Sequence, residues 1–450
     1  MQIASRRDFL RTTLRSATAL GAAGSLAKLA EMSAHAAVSG NYQALVCIFL
    51  GGGNNGHNTV VPIATAQQNY SVYQTGRGSL AIPMNTLLPI GVGNDVYGLH
   101  PSMPEIQNLY NTKRAAILAN VGMLVVPLNR DAYNQPGASV PALLFSHSDQ
   151  TGQWQTAIPT GLGSSGWGGR IADQVQALNN GGQFPTITSI SGCGPFCTGQ
   201  SSLPATAPAS GPVQLTGVLG SPARSQGVQQ LLAFDNGLQL VQAGNGIVSR
   251  GSAEANTLVS LLPTVTIKTP FPAGNPLGSQ LLMAAKLIAL SGQLSLNRQI
   301  FFCQLGGFDT HSAELPAQQT LLQQLSQAVG AFYAATQELQ VDRQVVTFTT
   351  SEFGRTLSPN GNAGTDHAWG NHHFIIGTAV KGGSMYGTFP SLTLGSENDT
   401  NKRGTLIPAT AVDQYGATLA QWFGIAPGSN MLQVFPNLGN FSQANLGFLG

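Results

Sequence analysis

Residues 306–311 read GGFDTH and close the apolar run QIFFCQL (299–305). An acid and an imidazole one residue apart suit a divalent ion, and glycines let the backbone bend close to it. Asp309 and His311 are therefore candidate metal ligands. The plain alternative is an Asp309 that caps the next helix, beside a solvated His311. SEFGRT (351–356) sets Glu352 and Arg355 in one tight turn. They pair either with each other or with ligands, Glu352 with a metal and Arg355 with an anion, since a planar guanidinium suits phosphate, sulfate or carboxylate. GTDHAWGNHH (364–373) supplies Asp366 and His367 as a further ligand pair, with Trp369 as a wall. His372 and His373 open a strand-like run, so they point to opposite faces and read as packing residues.

LFSHSDQTGQW (144–154) offers Ser146 beside His147. Sequence neighbours rarely form a nucleophile–base pair, and the chain has no G-x-S-x-G elbow, which disfavours a Ser-His-Asp hydrolase. A hydroxyl nucleophile activated by a metal remains open.

These clusters need elements to position them. Each lies at the boundary of a short, continuously apolar run: ALVCIFL (44–50), AAILANVG (115–122), QIFFCQL, QVVTFTT (344–350) and HHFIIGTAV (372–380). Such runs fit strands buried on both faces, as in a parallel sheet covered by helices. Leu322, Leu325, Val329 and Phe332 recur at helical spacing between the third and fourth runs, enough for a crossover helix. Further helical signals lie at 101–113 and 278–295. The pattern predicts an α/β fold with a largely parallel sheet sandwiched by helices. Ligands in such sheets bind beyond the carboxyl ends of the strands, where these clusters fall. Residues 198–276, rich in Pro, Gly and Ser, read as an insertion or cap within one domain spanning 37–450.

Apolar residues make up 42 % of the 450, enough for a sizeable core, while charged residues make up only 8 %, against roughly 25 % in average proteins. The N-terminus carries Arg6-Arg7, then Phe9-Leu10, a mild Ala/Gly/Leu stretch and Ala34-His35-Ala36. That order describes a secretory leader over 1–36, and the paired arginines point to the Tat route and a periplasmic or secreted product. The alternative is a basic amphipathic helix that is retained. Removing 1–36 takes five of the 20 basic and two of the 18 acidic residues, leaving a net charge of −1. No basic patch with interleaved aromatics suggests nucleic acid, and no stretch reaches the length of a membrane span. Cys193 and Cys197, in a Gly/Pro-rich loop, suit a short-range disulfide after export. A zinc site there lacks a second ligand pair, and Cys47 and Cys303 read as buried core thiols.

Together GGGNNGHNTVVP, FSHSDQTGQW, GWGGRIAD, GGFDTH, SEFGRT, GTDHAWGNHHFIIG and VKGGSMYG resemble, in order, the family catalogued as domain of unknown function 1501. That family is placed with the alkaline phosphatase and sulfatase superfamily. The resemblance implies an alkaline phosphatase-like α/β sandwich, metal ligands at strand ends and a hydroxyl nucleophile near a helix start. It assigns ligand roles to Asp309, His311, Glu352, Asp366 and His367. Asn55 stands where the family has an Asp and His57 where it has a Leu. Phe353 stands where phosphatases and sulfatases carry a further His. The nucleophile falls on Ser146, with Arg355 as anion clamp. The expected function is an exported hydrolase of a phosphate or sulfate ester, small-molecule or polysaccharide, using zinc, manganese, calcium or magnesium. The alternative is a catalytically degenerate binding or assembly factor of the cell envelope.

Overall fold

The structure is a computed structural model that describes residues 41–450 except 162, 180, 183, 193, 216, 219, 220, 235 and 236. The expected leader over 1–36 lies outside the described residues. So does Cys193, and with it the Cys193–Cys197 pairing.

The described strands are β1 (Gln43–Gly51), β2 (Val60–Ala64), β3 (Leu88–Val92), β4 (Asp95–Leu99), β5 (Ala115–Gly122), β6 (Ile187–Ser189), β7 (Ala205–Thr206), β8 (Arg298–Gly306), β9 (Val345–Thr350), β10 (Asn371–Ile376), β11 (Met385–Gly387) and β12 (Thr410–Ala411). β2, β4 and β3 form a small antiparallel sheet. The others form one nine-stranded sheet in the order β11-β5-β10-β9-β1-β8-β6-β7, with β12 also on β5. β10 alone runs antiparallel to its neighbours, β9 and β5; the rest are parallel.

The continuous apolar runs are buried on both faces because they feed two cores. Ala44, Val46, Ile48 and Leu50 of β1 join one cluster, with Leu322, Leu325, Val329 and Phe332 of the helix Glu314–Glu338. Leu45, Cys47 and Phe49 point the other way, into a cluster with Trp167, Ile171, Tyr415 and Leu419 from the helices Trp167–Val175 and Val412–Phe423. The Val, Leu, Ile and Phe side chains among these each contribute about 1.5–3 kcal/mol of burial, which fixes the register, since a one-residue slip would exchange the cores. Cys47 and Cys303 are buried thiols, and burial pushes the Cys47 thiol up to about 12.

The register lines up the strand ends. Gly51 pairs with Gly306, and Phe49 with Thr350. Because β10 is reversed, its first residues, not its last, lie at this edge. The parallel expectation fails for that strand, yet the reversal is what delivers the preceding GTDHAWG segment to the common rim. His372 and His373 are packing residues there: His372 stacks on Phe389, and His373 lies against Trp154 and Tyr415. Within 198–276 the structure has β7 at the sheet edge and the helices Pro222–Ala233 and Gln239–Leu261. Among the described residues, no helix is long and apolar enough to cross a membrane.

Candidate metal centre

Three loops at the rim are braced by their backbones. The Phe308 N–H donates to Gly51 O at 3.1 Å, and Thr365 N to Thr310 O at 3.0 Å. Gly354 and Thr356 donate to Trp369 O and Asp366 O at 2.9 and 3.0 Å. Tight approaches require glycine here. Gly52 has φ +116°, and a Cβ on it would lie 2.3 Å from Asp309 N; one on Gly53 would lie 2.5 Å from the Phe353 ring. The helix after GGFDTH begins at Glu314 behind Ala313, so Asp309 does not cap it.

Asp309 is the centre of what these loops present. Its Oδ1 lies 3.1 Å from His311 Nε2, 3.3 Å from His367 Nε2 and 3.4 Å from His147 Nε2. The two imidazole nitrogens His311 Nε2 and His367 Nε2 are 2.9 Å apart. Ligand atoms of His147, Asp309 and His367 all lie within 4.8 Å of one another. His147 Nε2 is buried without a hydrogen-bond partner, its approach to Asp309 lacking hydrogen-bond alignment. His147 is the residue that sequence reasoning missed. Its signal was adjacency to Ser146, read there only as a possible base.

Each ligand-bearing side chain is held from behind. Glu352 Oε1 lies 2.9 Å from His147 Nδ1 and also accepts the Gly52 N–H at 2.7 Å. His367 Nδ1 donates to the Phe145 carbonyl at 2.7 Å. Phe145 itself sits at φ +72°, a left-handed conformation uncommon for a bulky side chain. Asp366 Oδ1 lies 3.5 Å from His311 Nδ1, while its Oδ2 pairs with Arg403 at 2.7 Å. The Phe353 ring packs against His147 and His367 with centroids 4.8 and 4.6 Å apart.

Charge follows geometry. The hydrogen bond to Glu352 raises the His147 pKa against the pull of burial, with the Glu352 and Asp309 charges adding to it. Burial pushes the Asp309 carboxyl up, but the Arg355 guanidinium, then His311 and His147, outweigh it and hold it below the usual carboxylate range. Burial lowers His367, the Phe145 carbonyl opposes this, and the neighbouring Arg355, His147 and His311 lower it further.

Arg355 is fully buried, and all five of its N–H groups face protein acceptors. Nε donates to Gly53 O, Nη1 faces Thr365 O and His311 Nε2, and Nη2 donates to Phe308 O and Asp309 Oδ1. Arg355 therefore faces protein on every side, and an anion could claim only the Nη1 donor at His311 Nε2, its longest contact at 3.5 Å. Arg355 does not pair with Glu352; its ion-pair partner is Asp309.

The family model described as "Protein of unknown function (DUF1501)" matches residues 42–416. The chain belongs to this family. No curated protein matches this DUF1501 chain. Among solved structures it is similar to Ps i-CgsB in complex with k-i-k-neocarrahexaose (10% identity, 90% of this chain and 77% of that one, TM-score 0.36). It is also similar to the PsFucS1 sulfatase from Pseudoalteromonas sp. (11%, 86% and 75%, 0.32) and to the lipoteichoic acid synthase LtaP from Listeria monocytogenes (9%, 82% and 76%, 0.31). Likeness at these TM-scores carries nothing about chemistry.

In this DUF1501 protein Asn55 is not among the side chains that converge on Asp309. Its Nδ2 donates to Glu314 and its Oδ1 accepts the His57 N–H, so both polar atoms are committed. Glu314 in turn pairs with the fully buried Arg77 and accepts from Thr365. Glu352 and Asp366 lie behind the imidazoles, where the sequence had them as direct ligands. Ser146 stands at the N-cap of the helix His147–Thr156, with Oγ 2.5 Å from Asp149 Oδ2.

Proposed function

We propose that the chain is an exported, divalent-metal-dependent hydrolase of a phosphate or sulfate ester, small-molecule or polysaccharide. The observation that carries this reading is the convergence of His147 Nε2, Asp309 Oδ1 and His367 Nε2 within 4.8 Å, with His311 Nε2 beside them.

The residues fit a cation. One buried imidazole nitrogen lacks a hydrogen-bond partner, and three imidazoles with one carboxylate are the donor set of zinc or manganese rather than of calcium or magnesium, which favour oxygen. His147, Asp309 and His367 would hold the ion, with His311 as a fourth donor. When bound, it would supply a Lewis acid that offsets charge building on the ester oxygens.

The remaining work falls to this chain's own groups. Arg355 fixes the Asp309 carboxylate, Glu352 fixes the His147 ring, and the Phe145 carbonyl fixes His367 in the tautomer that leaves Nε2 free. Ser146 lies between Phe145 and His147, both of which touch the cluster. Its Oγ forms the new bond to phosphorus or sulfur as the bond to the leaving oxygen breaks. Asp149, at 2.5 Å, takes the hydroxyl proton. Water then attacks the same atom, the bond to Ser146 Oγ breaks, and phosphate or sulfate is released as Oγ regains its proton.

Arg355's full set of protein partners favours a second reading, a non-catalytic relative that binds and does not hydrolyse. One experiment separates the two: metal content of purified protein, with aryl phosphate and aryl sulfate hydrolysis by the zinc- and manganese-loaded forms and by His367→Ala. Stoichiometric metal and turnover lost in the variant support the hydrolase. Bound metal with no turnover on either ester supports the second reading, and no bound metal overturns the site itself.

A further inference from the structure

The helices Pro222–Ala233 and Gln239–Leu261, together with Pro204, Thr206, Val213, Leu215 and Val218, line a cavity of ≈ 900 Å³ that lies outside the candidate metal centre. Its volume is in the range of small-molecule sites. Its wall is mostly apolar, with Leu215, Val218, Val228, Leu232 and Ile247 as the larger contributors. Leu215 and Ile247 are 43% and 56% exposed, so the mouth carries an apolar lip. An apolar body in this cavity would remove that lip from water.

The two charged residues on this wall are Arg250 and Glu254. They occupy one helix face four residues apart, with Arg250 Nε 3.3 Å from Glu254 Oε1. The two differ in access. The Arg250 side chain is 42% exposed and reaches solvent, whereas that of Glu254 is 10% exposed. Glu254 Oε1 is buried without a hydrogen-bond partner. Burial raises the Glu254 carboxyl, and the Arg250 charge opposes it. A buried acceptor without a hydrogen bond costs about 1–3 kcal/mol; the Arg250 charge offsets part of this, and a donor arriving with a ligand would recover more.

We infer that this cavity is a binding site for an amphiphile whose alkyl or ring body fills the apolar wall and whose ammonium or hydroxyl head donates to Glu254. The same carboxylate disfavours an anionic head, which could meet only the Arg250 guanidinium at the solvent edge. The site is independent of the proposed hydrolase centre and needs no metal.

The test uses the whole folded chain and N-phenyl-1-naphthylamine, whose fluorescence rises in apolar surroundings. Saturable binding is expected, with dodecylamine displacing the probe about tenfold more tightly than dodecanoate, the gain of one hydrogen bond to a charged acceptor. Glu254→Gln should bring the two competitors to near equality. Leu232→Trp, which adds an indole ring to the apolar wall and narrows the cavity, should weaken probe binding several-fold. Leu240→Gln alters an 87% exposed residue outside the wall and should change nothing. Non-saturable probe uptake, equal displacement by the two competitors, or loss on Leu240→Gln but not on Leu232→Trp would each overturn the site. If Glu254→Gln unfolds, the Leu232→Trp and competitor results still decide it.

Discussion

Glu352 Oε1 sits 2.9 Å from His147 Nδ1, and this contact decides which nitrogen of that imidazole faces Asp309. Of the two roles open to this acid, touching the ion or orienting a ligand, its position behind the ring fits the second. Carboxylates in this position behind an imidazole tune the ligand's orientation and basicity. Glu352→Gln keeps an acceptor oxygen but removes the charge. Zinc affinity, measured by competition with a chromophoric chelator, should fall by roughly 10–100-fold. An unchanged affinity would return Glu352 to a bystander's role.

The proposed nucleophile and its base predict a split between binding and turnover. Asp149→Asn should lower kcat on an aryl ester by on the order of 10²–10⁴-fold, and Ser146→Ala by at least as much. Both variants should retain stoichiometric metal, because neither residue belongs to the donor set. Loss of metal in Ser146→Ala would mean that the helix start holds the site together structurally.

Arg355 predicts a stability effect. Arg355→Met removes a fully buried cation, leaves the carbonyls of Gly53 and Thr365 without their donor and takes the arginine partner from Asp309, while the Phe308 carbonyl keeps the Thr310 N–H. The expected loss is about 3 kcal/mol, read as a lower urea midpoint at constant slope. Arg355→Lys should recover little of it, since an ammonium cannot match the planar fork. Full recovery by lysine would show that charge alone matters there.

Asn55→Asp would restore the family's usual residue, yet here it should destabilise. The new carboxylate would face Glu314, whose oxygens already serve Arg77 and Thr365. A cost of roughly 3 kcal/mol is expected near neutral pH, shrinking in acid as one carboxyl takes up a proton. A second metal equivalent bound by this variant, measured by elemental analysis, would contradict that expectation.

Asp413 makes stability depend on pH. It is fully buried in the first turn of the helix Val412–Phe423, and burial pushes its pKa up to about 7, opposed by its own N–H, by Asn437 and by the Arg170 charge. A raised folded pKa means that the native state keeps a proton that the unfolded chain releases. Stability from this group is whole below about pH 4 and falls as pH rises through 7, by roughly 3 kcal/mol between pH 5 and pH 8. Asp413→Asn should flatten that fall in urea midpoints at the two pH values. A wild-type slope that survives the substitution would assign it elsewhere.

Much of the fold was legible because buried parallel strands write themselves as short apolar runs. β5 was located to the residue, and β1, β8 and β9 to within one residue at either end. The direction of β10 was not legible, since an apolar run carries no sign of which neighbour it will meet. At the site, Asp309, His311 and His367 stood out by spacing. His147 did not, because its partners lie more than 150 residues away and its own neighbours looked like an ordinary helix start. Whether an acid ligates a metal or steadies a ligand is likewise a matter of a few ångströms, which spacing does not record. Glu352 and Asp366 differ from Asp309 in that respect alone.

The place of β1 has a consequence for how the molecule is made. Ile48 pairs with Cys303 on one side and Thr349 on the other, partners 255 and 301 residues further along the chain. The centre of the sheet is therefore the first made of the described strands, and it stays exposed until its flanking strands leave the ribosome. Such non-local pairing folds slowly and exposes apolar segments while it waits. The proposed metal pocket at the ends of these strands cannot form before β10 joins the sheet, so an ion would meet only a chain already folded that far.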